Sequence, residues 1–407
     1  MSLSRLPQIL ITALLAGVVI TLALNQTFFR DSISAPFMAV AIASILLIHF
    51  SIRPFLDIVP VVLVATALFA AEHFIRGWNP NFWPLLCVLG MGSALTMVVR
   101  AIWAPNRDQR NLMLCGLIPS LLLSFSDWTA SISLRLTEAA HPKALDLYLY
   151  RFDCSLGFQP SFLVGQYFRY WHWFYLLGFA LYIALPVPLA LVYGQQLKAK
   201  GRAALPLFYA FLIAGPLGII FFNILPAMGP AHVFPRFPAF PSNVDVVRHM
   251  VPIALRLPGA RNAIPSLHMA WVLLAWWGAR GLSRWVRFAA LTFVIFTFLA
   301  TMGTGEHYLV DLVVACPFAL AIHAGFTQSA PLQVRKLTAL AGICLTLAWI
   351  ATLSFAGDMF WFSRLIPWSA VIGTVAAVGL MVRRLCFKQQ ALEGDIEQAS
   401  EMAAVAG

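Results

Sequence analysis

The chain alternates between long uncharged apolar runs and short polar breaks that carry arginine and lysine. A membrane-crossing helix needs about 20 mostly apolar residues. On that measure the runs predict about twelve spans, near residues 7–25, 35–50, 55–74, 82–102, 111–128, 171–194, 203–225, 266–281, 285–303, 307–327, 337–356 and 365–383. The second run is short, and His268 interrupts the eighth. The first follows Arg5 as a signal peptide does, but it lacks a small-x-small cleavage site and reads as a span. The segments 129–170 and 226–265 read as long loops. The polar, Ala/Glu-rich tail 388–407 reads as disordered or as a surface helix. No internal repeat is visible. The pattern therefore predicts an all-α polytopic membrane helix bundle.

Composition agrees. The 407 residues are 61% hydrophobic and only 11% charged, whereas soluble domains are nearer a quarter charged. A net charge of +11 in a soluble protein points to nucleic acid. In a membrane protein loop charge sets topology instead, so no nucleic-acid partner is expected. With an even number of spans both termini share one side. That side collects Arg5, Arg53, Arg100, Arg107, Arg110, Lys198, Lys200, Arg202, Arg280, Arg284, Arg287, Arg335, Lys336, Arg383, Arg384 and Lys388. The short loops opposite hold only Arg30, Arg76 and Arg364. Both termini are thus expected in the cytoplasm, of an integral protein of the plasma membrane, or the inner membrane if bacterial. The six cysteines show no paired spacing, which argues against a disulfide framework or a zinc site.

Charge departs from this rule in the two long outer loops. One carries Arg135, Lys143, Arg151 and Arg169; the other carries Arg236, Arg248, Arg256 and Arg261. Two readings stand: plain surface charge, or an anion site facing outward.

Ionisable groups within membrane segments are costly and are candidates for function. His268 opens the eighth run in NAIPSLHMAW. His307 and Asp311 open the tenth in GTGEHYLVDLVVA, four residues apart and so on one face of a helix. An aspartate that accepts a hydrogen bond from one ring nitrogen fixes the tautomer and frees the other nitrogen to attack or to accept a proton. Both runs begin at the outer face, beneath the basic loops. The same donor types could hold a metal. His49, His73 and His323 read as helix–helix contacts, and Tyr308 as an interfacial anchor.

PSLH at 265–268 and HYLVD at 307–311 resemble the second and third signatures of the type-2 phosphatidic acid phosphatase superfamily. Leu267, where glycine is usual, resembles a branch that includes inositol phosphorylceramide synthases. NILPAMGP at 223–230 and RFDCSLGFQPS at 151–161 look like further elements of that branch. The resemblance covers roughly 111–327. It implies a six-helix catalytic core there; outside it the apolar runs predict an N-terminal transmembrane bundle at 1–110 and C-terminal helices at 328–387, with the polar tail at 388–407.

The first motif departs from the superfamily pattern. Lys143 and Arg151 are separated by seven residues, and Phe152 follows. Ala300 and Thr301 stand where the third motif has Ser-Arg. Arg261, Arg151, Arg256 and Lys143 are the candidate replacements, since guanidinium forks onto phosphate. Asn262 either assists the phosphate or caps a turn. Asp153 either caps a segment or pairs with Arg151.

The resemblance implies that His307 is the nucleophile, that Asp311 orients it and that His268 is the general acid and base. Ser266 and the amides opening the eighth run are implied to hold phosphoryl oxygens, with Pro265 at the helix start. No metal or other cofactor is implied. The implied partners are a lipid phosphate donor, a lipid or headgroup alcohol acceptor, and the bilayer; no obligate protein partner follows. The implied reaction is phosphotransfer on the periplasmic or lumenal face. Rival readings are a phosphatase acting on phosphatidic acid or prenyl diphosphate, and a lipid-phosphate transporter or flippase. The last is disfavoured because the chain shows no related halves.

Overall fold

The structure is a computed structural model describing residues 36–53, 56–76, 82–328 and 330–406. The span expected near 7–25 lies outside the described residues. About 79% of the structure is helical. The helices are α1 (Pro36–Ile52), α2 (Ile58–Arg76), α3 (Phe82–Ile102), α4 (Arg107–Ala140), α5 (Asp146–Ser155), α6 (Pro160–Tyr170), α7 (His172–Ile183), α8 (Pro186–Lys200), α9 (Leu205–Ile224), α10 (Pro230–Val233), α11 (Val244–Arg248), α12 (Leu267–Gly278), α13 (Arg284–Gly303), α14 (Leu309–Phe326), α15 (Leu332–Phe355) and α16 (Leu365–Ala406). Strands β1 (Lys143–Ala144) and β2 (Leu255–Arg256) form a short antiparallel ribbon.

Among the described residues, seven helical stretches are long and apolar enough to cross a membrane, which marks an integral membrane protein. One of them, Pro186–Ile224, has 39 residues. At about 1.5 Å per residue it would run roughly 58 Å, against a hydrocarbon core of about 30 Å. A 3₁₀ turn at Gly201–Ala204 divides it into α8 and α9. Helix occupies each apolar run expected from residue 35 onward, but α1, α2, α7 and α12 have apolar lengths below a full crossing.

One expectation of irregular structure is corrected. Residues 129–170 are mostly helical, because α4 continues to Ala140 and α5 and α6 follow. The polar residues in the second half of α4 do not break it. Ser126, Thr129, Ser133 and Thr137 each return their hydroxyl to a carbonyl three or four residues back. The helix ends where His141 precedes Pro142, as a pre-proline residue disfavours helix. Of the two readings of the tail the helical one holds, since helix runs to Ala406. Pro119 inside α4 cannot donate to Cys115 O, and the Tyr193 hydroxyl takes that carbonyl at 2.5 Å.

The chain divides into two compact units, each built from non-contiguous stretches. The first contains residues up to Ser133, Ile183–Phe208 and Gly278–Ala290. In it α1 packs on α3 and α8, and α2 packs on α3. His49, expected at a helix–helix contact, makes that contact through a buried polar cluster. Its Nδ1 lies 2.7 Å from Ser93 Oγ and its Nε2 lies 3.1 Å from Asp57 Oδ2. Arg100 donates to Asp57 Oδ1 from Nε (3.1 Å) and Nη2 (2.6 Å), and Arg53 lies 3.4 Å from Oδ2. Ser93, His49 and Asp57 are sealed from solvent, so the cluster joins α1, α3 and the start of α2 and gives no substrate access to the serine.

The second unit contains Leu134–Tyr182, Tyr209–Trp277 and the chain from Leu291. Helix α14 packs chiefly on α15 and α16, and α5 packs on α14 and α15. All the candidate catalytic residues lie in this unit.

Removing a buried carboxylate leaves its cationic partners uncompensated. Asp57→Ala is expected to cost about 3 kcal/mol, read as a fall in thermal unfolding temperature in detergent. A change below about 0.5 kcal/mol would show that the cluster is not structural.

Candidate active site

The site is organised by α5. Asp146 and Asp153 are two turns apart on this ten-residue helix and so share a face. The Asp146 carboxylate accepts the amides of Met228 (3.1 Å to each oxygen) and Gly229 (2.8 Å). The adjoining Leu145 N–H donates to Pro226 O at 2.7 Å. Two turns on, Asp153 accepts the amides of Leu309 (2.8 Å) and Val310 (3.1 Å), the first two residues of α14. First-turn amides have no partner within their helix, and a carboxylate there also meets the positive end of the helix dipole. Both acids are buried. Burial pushes the Asp153 carboxyl well up and Asp146 up to about 6, partly offset by these amides. Asp153 is therefore a capping group, while Arg151 pairs with Asp358.

The start of α14 carries His307 and Asp311. His307 is not helical, since α14 begins at Leu309 with Tyr308 as its N-cap. The expected reason for their closeness, one helical face, is thus replaced by a cap. Asp311 Oδ2 turns back to accept the Tyr308 amide at 2.8 Å. The same oxygen lies 3.4 Å from His307 Nδ1, off the line of a formed hydrogen bond. Ser161, at the start of α6, donates to the His307 carbonyl at 2.9 Å. Tyr308 is buried beside Asp146 and is not an interfacial anchor.

The second histidine is keyed to the same aspartate. Ser266 N–H donates to the Asp311 carbonyl at 3.1 Å. Helix α12 begins at Leu267, so Pro265, in a cis peptide with Ile264, lies outside the helix it was expected to open. Ser266 instead precedes the first turn and its Oγ accepts the Met269 amide at 3.4 Å. His268 lies in that turn. Its ring stacks on Tyr182 (4.1 Å, 20°) and meets His307 at 6.3 Å and 62°. Leu267 packs on α9 at Gly218, where a Cβ would approach Leu267 Cδ2 to 2.6 Å. The small residue of this contact is thus on the partner helix. Trp271 stacks on Phe211.

The basic candidates are placed differently from the expectation. Arg261, expected at the phosphate, is fully buried. Its guanidinium donates to the carbonyls of His141 (2.9 Å), Gly259 (2.6 Å) and Leu257 (2.7 Å). It clamps the 257–261 loop onto the end of α4, because a buried guanidinium must spend its donors on whatever oxygens are near. Arg151 is engaged by Asp358, the Arg248 carbonyl and the Trp361 ring. Lys143 and Arg256 face each other across the ribbon, both exposed. Asn262 is half-buried between Arg261 and the buried Ala263.

Besides Asp146, the residues given no role from the sequence are Ser161, His232 and Glu306. His232 Nε2 lies 3.4 Å from Glu306 Oε2, both partly open to solvent. The Glu306 hydrogen bond raises the His232 imidazole, against its burial. Burial pushes Glu306 up, but His232, His307 and His268 together hold it below the usual carboxylate value. Its signal was its place directly before His307. A separate cavity of about 380 Å³ is lined by Phe168, Arg169, His172, Tyr175 and Thr304 among others, and by neither His268 nor His307.

Residues 147–325 match the PAP2 superfamily. The match takes in Asp153, Ser161, Ser266, His268, His307 and Asp311, and it stops one residue short of the end of α14. It supports the type-2 phosphatidic acid phosphatase superfamily for this PAP2 region, and with it a lipid enzyme of phosphatase or phosphotransferase type. No curated protein and no solved structure matches the chain.

If Asp153 holds the start of α14 in the PAP2 region, Asp153→Ala strands two buried amides. The expected loss is about 2–4 kcal/mol, measured as a shift in denaturant or thermal midpoint, with Asp153→Asn falling between. A loss no larger than that of an exposed control such as Asp245→Ala would contradict the assignment.

Proposed function

We propose that the protein is a lipid phosphotransferase that moves a phosphoryl-linked headgroup from a donor lipid to an acceptor alcohol through a phosphohistidine. The observation that carries this reading is the placement of His307, with Nδ1 at Asp311 and its ring edge-on to His268. The Asp311 carboxylate 3.4 Å from Nδ1 favours a proton on that nitrogen, which leaves the Nε2 lone pair to attack phosphorus. The phosphorus–oxygen bond to the leaving group breaks, and His268 gives that oxygen a proton. In the second half the acceptor hydroxyl attacks the phosphohistidine, His268 takes its proton, and the P–N electron pair returns to His307.

Ser266, Asn262 and the amides opening α12 bind the phosphoryl oxygens, since a helix N-terminus attracts anions. Lys143 and Arg256, exposed on the ribbon, draw in the anionic headgroup. Arg261 supports them by fixing the loop. The scheme uses no metal. The positive-inside distribution supports an active site on the periplasmic or lumenal face with both termini cytoplasmic. Leu267 in place of glycine, the PAMGP stretch and the HYLVD motif favour the inositol phosphorylceramide synthase-like branch, hence transfer over hydrolysis.

The test is purified protein with a panel of phospholipids, prenyl diphosphates and alcohol acceptors, following new lipid against free phosphate. A new phospholipid should form, unaffected by a chelator, and His307→Ala should lower turnover by roughly 10⁴-fold or more. Free phosphate or headgroup phosphate without a new lipid would make the enzyme a hydrolase. Lipid movement without phosphorus–oxygen cleavage would make it a transporter.

A further inference from the structure

The proposed mechanism leaves unused one pair of titratable groups beside its histidines. Glu306 directly precedes His307 in the chain, its carboxylate meets His232 at 3.4 Å, and the neighbouring His307 and His268 help hold its carboxyl below the usual value. The pair is rigidly mounted. Ala231 N–H donates to Gly305 O at 2.9 Å, and the 229–232 segment is pressed so close that a Cβ at Gly229 (φ +109°) would lie 2.2 Å from Glu306 O. Asp146 holds Gly229 from the other side. His232 and Glu306 therefore meet on two segments locked to each other and to α5. Both side chains stay partly open, at 45% and 33% exposure, so a substrate can reach them.

A carboxylate is an unusual neighbour for a phosphate site, since it repels the anion the site must bind. The repulsion scales with the charge of the incoming group. A phosphomonoester brings close to two negative charges at neutral pH, and a phosphodiester brings one. The same carboxylate accepts a hydrogen bond from a hydroxyl, which a polyol headgroup or acceptor alcohol supplies. Specificity built by repelling the wrong ligand is as real as specificity built by binding the right one.

We propose that Glu306, positioned by His232, is the specificity-determining group of this site. It favours a singly charged phosphodiester donor and a hydroxylated acceptor, and it disfavours a doubly charged phosphomonoester. This rests on the phosphotransferase reading above. The partial neutralisation of Glu306 by His232 tempers the repulsion so that a diester still binds.

The test uses the full-length purified chain and two lipids with the same acyl groups, phosphatidylinositol as the diester and phosphatidic acid as the monoester. The quantity read is the ratio of kcat/KM for phosphorus–oxygen cleavage of monoester to diester. Glu306→Gln should raise that ratio by roughly tenfold or more and shift product from transfer to added polyol towards hydrolysis. Glu306→Asp, which keeps the charge, should stay near the wild-type ratio. An unchanged ratio in Glu306→Gln overturns the proposal, as does equal loss of both activities, which would make Glu306 a requirement of folding or chemistry. His307→Ala is the control that separates the two failures. If the wild type cleaves neither lipid, or His307→Ala cleaves both, the phosphotransferase reading falls and this one with it. If His307→Ala is inactive and the Glu306→Gln ratio does not move, only the specificity assignment falls.

Discussion

The second unit depends on two carboxylates buried on one face of α5. A carboxylate removed from water is costly unless donors surround it. Here each acid is met by two backbone amides that themselves lack partners. Asp153 fixes the beginning of α14, and so the cap that brings Asp311 to His307. Asp146 fixes Met228 and Gly229, and so the segment carrying His232. Ser266 is then tied to the Asp311 carbonyl, which sets the depth of His268. Three separate stretches of chain thus take their register from ten residues.

Helix α5 is in turn braced by chain beyond the PAP2 match. Phe152 packs edge-on between Trp349 of α15 and Phe360, at 5.2 and 4.7 Å. Arg151 pairs with Asp358, and Trp368 of α16 donates to the Leu156 carbonyl at 3.2 Å. The C-terminal helices hold the helix on which the site is aligned. Geometry of this kind is what a reaction through a fixed nucleophile requires, because small displacements of a reacting group are expensive in rate.

The apolar runs were legible because a span is a matter of length and composition, and among the described residues helices occur where they were expected from residue 35 onward. The breaks between them were harder to read. Polar residues in 126–140 suggested a loop, but serine and threonine can satisfy their hydroxyls on the helix that carries them. His268, His307 and Asp311 were found from their cost in an apolar setting, and the structure brings them together. The stated reason was wrong for one pair, since a cap and not a helical face joins His307 to Asp311. Arg261 was misread because charge alone does not reveal whether a guanidinium faces a ligand or a ring of carbonyls. Asp146 and Asp153 carried a readable signal, two acids seven residues apart in a segment that proved helical. What they bind is 82 to 157 residues away in the chain, beyond what any local pattern conveys.

The central claim is that His307 forms a covalent bond to phosphorus. The direct measurement is to mix the purified protein with a donor lipid labelled at phosphorus, quench in alkali, where phosphohistidine survives, and locate the label by peptide mass spectrometry. The account predicts a phosphorus adduct on His307 that disappears when an acceptor alcohol is added. Turnover of the donor without any label on the protein, or label on another residue, would contradict it.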